Sequence, residues 1–286
     1  MRLYAPAKLN LFLHVTGRRE DSYHELQTLF QLIDYADCLT IEPREDDRFE
    51  YADDASGDFG ESNLCLRAAE LARRCHPEGC GASIFLNKQI AVGAGLGGGS
   101  SDAAAVLHGL NRLWGRPWKI EELAEMGLEL GADVPLFVYG RTAWAEGVGE
   151  KLTPVDRPEG FALVLPTPSQ LSTAEAYRFL ELTQWSAPIK MGEVDAYWGS
   201  NVFEDLLRSR LPEAGTRLDW LRRHAPAAMT GSGGSVFAWF EDREEAESVL
   251  ALCPPGWNGR VAAGLARSPL LAQGGRDGCW AVAKSG

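Results

Sequence analysis

Residues 90–107 read IAVGAGLGGGSSDAAAVL, with five glycines in the seven positions from Gly93 to Gly99. Glycine loses more backbone freedom on folding than any other residue, so such density needs a compensating use. Close approach of the main chain to a ligand, with amide N–H groups turned inward, supplies one. Ser100, Ser101 and Asp102 follow as good helix starters. Val106, Leu110, Leu113 and Trp114 then fall at helical spacing on one apolar stripe. A glycine loop feeding a helix N-terminus presents free amides and the positive end of the helix dipole to the same point, which suits an anion. The stretch reads as a phosphate cradle.

Two common cradles do not fit. Gly93, Gly95 and Gly98 satisfy GxGxxG, but a dinucleotide-binding fold opens with that motif, and here it lies deep in the chain. No lysine follows Gly99, so the Gly-Lys-Ser/Thr of an ATPase P-loop is missing.

On the N-terminal side, residues 3–15 alternate. Leu9, Leu11, Leu13 and Val15 share one face; Lys8, Asn10, Phe12 and His14 share the other, which predicts a strand. Lys8 and Asn10 together suit an anion, and they equally suit an edge strand whose polar side meets water. Residues 17–22 read as a turn, and Tyr23 and His24 after it suit a planar ligand or a buried tyrosine beside a surface histidine. Residues 26–42 continue as strand. Residues 42–61 carry nine acids against two arginines and read as a solvated loop or hairpin without a metal-ligand pattern. Asn63 caps a predicted helix running to Arg74, residues 82–86 form a short strand, and Lys88 stands just before the glycines.

On the C-terminal side, residues 120–130 are amphipathic and helical. Asp133 follows, between a helix end and Pro135, with Val134, Leu136 and Phe137 around it. A carboxylate in that setting needs a cation or hydrogen bonds, or it caps a turn. Residues 141–152 suit a hairpin. Prolines 154, 158, 166 and 168 cluster around the strand at 161–166, so a division into units 1–155 and 156–286 is expected. A helix begins near Ser172 and Thr173 and carries Tyr177; others are expected around 202–210 and 216–224. Residues 228–240 give strand, glycine turn and strand. Asp242 and Glu245 form a capping box on helix 242–252, a last strand lies near 260–263, and the chain after 272 reads as partly disordered.

Composition sets outer bounds. At 286 residues, 45% hydrophobic and with a net charge of −12, the chain reads as soluble and cytoplasmic, with no nucleic-acid or anionic-membrane surface. No CxxC pair occurs among the six cysteines. Cys75, His76 and Cys80 lie close together but lack a fourth zinc ligand.

Three stretches now stand together in order: APAKLNLFLHVTGRREDSYHEL near the start, GAGLGGGSSDAA in the middle and MTGSGGSVFA late. The set resembles the GHMP small-molecule kinases over roughly residues 1 to 265. That resemblance implies a two-domain α+β fold. Its N-terminal α/β nucleotide-binding domain would have a left-handed crossover type of sheet, and its C-terminal α+β domain would be ferredoxin-like. It implies transfer of a phosphoryl group from ATP, with Mg2+, to a hydroxyl of a cytidine diphosphate-linked methylerythritol, by a monomer or weak homodimer. Tyr23, His24 and Tyr177 separate this substrate from homoserine or mevalonate, since they suit a pyrimidine. A catalytically silent binding protein on the same fold is the other alternative.

By the family pattern, Lys8 and Asp133 are the catalytic pair. Gly93, Ala94, Gly95, Leu96, Gly97, Gly98, Gly99, Ser100 and Ser101 wrap the ATP phosphates, with Asn63 and Lys88 near the base. Asn10 is a polar substrate contact. Tyr23 stacks on the cytosine, His24 hydrogen-bonds it and Tyr177 closes the sandwich, with Thr173 on the same helix. Gly231, Ser232, Gly233 and Gly234 line the site from the second domain. The protein ligand of Mg2+ is not legible; Ser101 is the one candidate. Three positions depart from the pattern: Ala91 stands for Pro, Ser22 for Gly, and Val202 for the Asp of an Asn-Asp pair. Ser22 is expected to carry strain if its φ is positive.

Overall fold

A computed structural model describes residues 1–54, 63–157, 159–168, 173–180 and 185–272, with only the backbone of 173 and 174. The long strands β1 (Arg2–Arg18) and β2 (His24–Pro43) run antiparallel along almost their whole length. Both faces of β1 are buried from residue 5 to residue 15, so Lys8 and Asn10 do not meet water as an edge strand would. Register breaks between Pro6 and Ala7 and between Asn10 and Leu13 bracket those two residues. Such irregularities re-aim side chains next to functional sites.

The acidic stretch contains a strand, β3 (Phe49–Asp53), in place of the expected loop or hairpin; the described part ends at 54. Its exposed Glu50 lies on the outer side of an edge strand, where charge is tolerated and discourages further pairing. Helix α1 (Leu64–Cys75) starts on Asn63, whose Oδ1 accepts the N–H groups of Cys65 and Leu66 at 2.9 and 3.2 Å. β4 (Ala82–Asn87) then pairs parallel with β3 and antiparallel with β2.

Helix α2 (Gly98–Leu113) begins earlier than the serines suggest, with Gly97 at its N-cap in the left-handed region, φ 72°. It is buried on every side from Ser101 to Asn111, not along one stripe. Three consecutive alanines, 103 to 105, let neighbouring elements approach on all faces, as in a central helix. α3 (Ile120–Leu130) and α4 (Val134–Tyr139) pack beside it, and β5 (Ala143–Glu146) and β6 (Lys151–Pro154) form the expected hairpin.

The second half runs β7 (Phe161–Pro166), α5 (Thr173–Leu180), a 3₁₀ segment at Met191–Tyr197, α6 (Glu204–Arg210), α7 (Pro212–Leu221), β8 (Ala227–Thr230), β9 (Ser235–Phe240), α8 (Arg243–Ala251) and β10 (Arg260–Leu265). α7 starts several residues before the expected 216 because Pro212 is suited to the first turn of a helix. Within this half the strands lie in the order β10-β7-β9-β8, all antiparallel, with helices between β7 and β8 and between β9 and β10. That is the ferredoxin-like βαββαβ arrangement. β10 also pairs with β2 through Gly264↔Ile33 and Leu265↔Leu32, so one ten-stranded sheet runs through the described residues. Leu9, Leu11, Phe12 and Ile33 from the first half share a buried cluster with Val164, Ala228 and Phe237 from the second.

The two glycine segments meet at this junction. A Cβ on Gly95 would lie 2.8 Å from the carbonyl oxygen of Thr230, and one on Gly234 would overlap the Gly93 carbonyl and Ala94 backbone. The crowding atoms are main chain and cannot swing aside. Gly234→Ala is therefore expected to destabilise the protein at the upper end of overpacking effects, about 3 kcal/mol. Urea denaturation monitored by tryptophan fluorescence measures it.

Candidate functional site

At the junction lies a pocket of about 560 Å3. β1, the glycine loop, the start of α4, the β8–β9 turn, the start of β2 and α5 all contribute to its wall. Lys8, Asn10, Tyr23, His24, Gly95, Gly97, Ser100, Asp133, Tyr177, Gly231 and Ser232 line it. Residues that the sequence reading scattered over the chain are thus brought together.

Lys8 is 4% exposed, and a buried ammonium needs partners. Its Nζ donates to Asn10 Oδ1 at 2.7 Å, stands 3.6 Å from Asp133 Oδ2 and lies 5.2 Å from the centre of the Phe30 ring. Its main-chain N–H donates to the Leu96 carbonyl at 2.9 Å, tying the strand to the glycine loop. Asp133 occupies the N-cap position of α4, but its side chain makes no capping hydrogen bond. The carboxylate instead faces Lys8 and remains 35% exposed, open to an incoming group.

Asn10 is anchored to protein through both the oxygen and the nitrogen of its amide. Its Oδ1 accepts from Lys8 Nζ, from Thr230 Oγ1 at 3.2 Å and from the Gly231 N–H at 3.0 Å, while its Nδ2 donates to Thr28 Oγ1 at 2.9 Å. It therefore aims the Lys8 ammonium and fixes the third motif in one stroke. Asn201 supports that motif from the other side, its Nδ2 donating to the Gly231 carbonyl at 3.1 Å. The neighbouring Val202 packs against the second-half core.

Gly93, Gly95 and Gly97 all have φ near +72°, so the loop changes direction at alternate residues. At Gly97 a side chain is doubly excluded, since a Cβ would fall 2.8 Å from the Phe137 ring. The turn leads into α2, whose first amides, from Gly98, Gly99 and Ser100, have no acceptor within the helix. Ala94 and Leu96 are buried supports, and Gly233 carries φ 107° in the facing turn. Ser101 is wholly buried, and its Oγ has no hydrogen-bond partner.

The aromatic end is arranged differently from a simple tyrosine sandwich. His24 stacks on Tyr177, with ring centres 4.6 Å apart and planes 29° from parallel, and Trp185 lies 5.7 Å away. Tyr23 is 62% exposed at the mouth. Burial pushes the Tyr177 phenol up to about 12, and the nearby Asp133 charge pushes in the same direction. Ser22 takes φ 71°, the strained conformation anticipated for a turn suited to glycine, at about 1 kcal/mol. The side chain of Thr173 lies outside the described residues, as does the chain after 272.

Lys88 does not line this pocket. Its Nζ bonds Asp37 Oδ2 at 2.6 Å and Asp102 Oδ2 at 2.7 Å. Asp37 Oδ1 accepts the N–H groups of Gln89 and Ile90 at 2.5 and 2.8 Å, whereas the buried Asp102 Oδ1 has no partner. Two buried carboxylates share one ammonium. Burial, and then repulsion from Asp37, push the Asp102 carboxyl up to about 7. Asp37 and Asp102 were missed as a pair in the sequence. The usable signal was an acid set in an apolar strand and another followed by a run of alanines, each requiring a partner. Among the described residues no group of three or more His, Cys, Asp or Glu is placed to hold a metal ion.

Comparison with known proteins agrees with this geometry. The family description "GHMP kinases N terminal domain" matches residues 63–141, and "GHMP kinases C terminal" matches 191–251. The 4-diphosphocytidyl-2-C-methyl-D-erythritol kinase of Nitrosococcus oceani is 46% identical over 275 residues, covering 96% of this chain and 98% of that protein. The enzyme of the same name from Nitrosospira multiformis is 48% identical over 269 residues, covering 93% and 92%. A crystal structure of 4-(cytidine 5'-diphospho)-2C-methyl-D-erythritol kinase superposes with a TM-score of 0.78 at 35% identity, covering 92% of this chain and 98% of that one. A mevalonate kinase crystal structure, with a TM-score of 0.69, 16% identity and coverage of 94% and 100%, shares the fold.

The shared ammonium has a measurable consequence. A carboxyl whose folded value lies above its unfolded one destabilises the fold at high pH, and the penalty vanishes once pH falls below the unfolded value, near 3.9. The stability of Asp102→Asn relative to the parent protein should therefore shift in the variant's favour as pH rises from 4 to 8. Urea unfolding at the two pH values measures the difference.

Proposed function

The chain belongs to the GHMP kinase family, and on that premise we propose that it transfers the terminal phosphoryl group of ATP to the 2-hydroxyl of 4-diphosphocytidyl-2-C-methyl-D-erythritol, a step in isoprenoid precursor synthesis. The observation that carries the reading is the Lys8 ammonium 3.6 Å from the open Asp133 carboxylate, in a pocket walled by the glycine loop.

Phosphoryl transfer asks mainly for positioning and charge stabilisation. The α2 amides and the turns at Gly95 and Gly97 hold the phosphates of ATP. Asp133 accepts the proton of the attacking hydroxyl, with the Lys8 ammonium 3.6 Å from its carboxylate. Lys8, aimed by Asn10, also offsets charge on the transferring group. The cytosine end belongs with Tyr23, His24 and Tyr177, where a flat ring stacks on aromatic faces for about 1–3 kcal/mol each.

Mg2+ offsets charge on the phosphate oxygens when bound with ATP. Mg2+ sites of this kind use one or two protein groups beside phosphate and water. The partnerless Ser101 Oγ, in the first turn of α2, would fit that modest donor set. Asn63 and Lys88 bear on the base through the chain they fix, since Asn63 is engaged in capping and Lys88 in its ion pairs. We also assign the protein to the cytoplasm, as a monomer or weak homodimer; no helix among the described residues is long and apolar enough to cross a membrane.

A coupled ADP-release assay tests the substrate. Turnover is expected with the diphosphocytidyl compound and not with mevalonate or homoserine, and the reverse pattern ends the assignment. Asp133→Asn is expected to lower kcat about 1,000-fold, within the range of a lost general base, with ATP binding kept. Ordinary turnover in that variant, measured in the same assay, removes Asp133 from the chemistry.

A further inference from the structure

We propose that Lys88, Asp37 and Asp102 are positioning residues that close the phosphate loop at its base, with Asp102 tethering the far end of the loop to the ammonium that holds the near end. The inference rests on the kinase reading above and adds to it how the loop keeps its shape.

The chain leaves β4 at Asn87 and enters the loop through residues 88–90. Asp37, fully buried on β2, grips this stretch three times, through Lys88 Nζ and through the N–H groups of Gln89 and Ile90. The chain then passes through the glycines and into α2, where Asp102 returns to Lys88 from 14 positions further on. One side-chain bond therefore spans the base of the loop. Holding two ends of a flexible glycine segment together removes conformations that the loop would otherwise sample.

The packing around the ammonium supports the same role. A Cβ on Gly98 would lie 3.0 Å from Lys88 Nζ and 3.1 Å from Ile90 Cγ2, so the first residue of α2 rests on the ion pair. The amides of Gly98, Gly99 and Ser100 are thereby referred to a fixed point. Asp37 and Asp102 are almost without solvent, which makes the bonds to Lys88 strong and their loss costly. None of the three residues lines the pocket that holds Lys8 and Asp133, so they act through the loop. The groups facing Asp102 are Lys88, Asp37 on β2 and the buried Cys65 thiol of α1, which burial and then the Asp102 charge push upward.

Removing Lys88 would leave two buried carboxylates unpaired and endanger the fold, so Asp102 is the position to change. In Asp102→Ala the Lys88–Asp37 pair survives and only the tether is lost. The KM for ATP should rise about tenfold or more, the equivalent of one charge-assisted hydrogen bond. The KM for the diphosphocytidyl substrate should move less than about twofold on the same scale. Asp102→Asn keeps an oxygen for the Lys88 ammonium and should restore the ATP KM to within about threefold of the parent. Should the alanine variant fail to fold in a thermal melt, Asp102→Leu, which fills the space but accepts no hydrogen bond, is held to the same outcome.

An unchanged ATP KM in the tether-free variant overturns the proposal. So does an equal rise in both KM values, or an asparagine variant as impaired as alanine. Parent protein without ATP-dependent turnover would instead overturn the kinase reading, and with it the role given to the tether.

Discussion

The burial of the Lys8 ammonium is the constraint on which the rest of the structure turns. A charge with 4% exposure is tolerable only if neighbouring groups are fixed to receive it. Asn10, Asp133 and Phe30 meet that need from three elements. Because Asn10 also receives the Thr230 hydroxyl and the Gly231 amide, the demand of one ammonium fixes the β8–β9 turn against the first strand. That turn in turn stands against Gly93 and Gly95, so the phosphate loop is held at its crown from the other half of the chain.

Two ammonium groups on the same chain are handled in different ways. Lys8 has one carboxylate, left open to the pocket, and a neutral amide, so its neighbourhood can accept further negative charge. Lys88 has two carboxylates, both buried, and its charge is more than spent within the protein. The first suits contact with anionic reactants; the second suits architecture. Burial alone does not distinguish these roles, and the count of carboxylates around each cation does.

Much of this was legible in the residues. The glycine cradle, the capped helix after Asn63, the hairpin at 141–152 and the paired strands around the late glycine turn all rest on local rules of turn and cap chemistry. Local rules failed where neighbours distant in sequence decided the outcome. Alternation in β1 suggested one wet face, yet packing from both halves dries both sides. β3 was hidden by its acids, of which Glu50 sits harmlessly on the edge. The start of α2 moved two residues earlier because Gly97, not a serine hydroxyl, turns the chain into the helix. The 3₁₀ segment at Met191–Tyr197 offered no period to detect. Nothing in spacing could place Asn10 beside Gly231, 221 positions away; that meeting entered the reading only through resemblance.

The placement of β10 bears on how the molecule comes into being. It lies between β2 and β7 in the sheet, yet among the described residues it is the last strand in chain order. A chain emerging from the ribosome must therefore hold a central slot vacant until β10 is synthesised. Contacts of such long sequence separation are slow to form, and the unfilled edges of β2 and β7 are open to mispairing in the interval. For this fold, the most hazardous moment in the life of the protein comes before its first catalytic turnover, while the slot is empty.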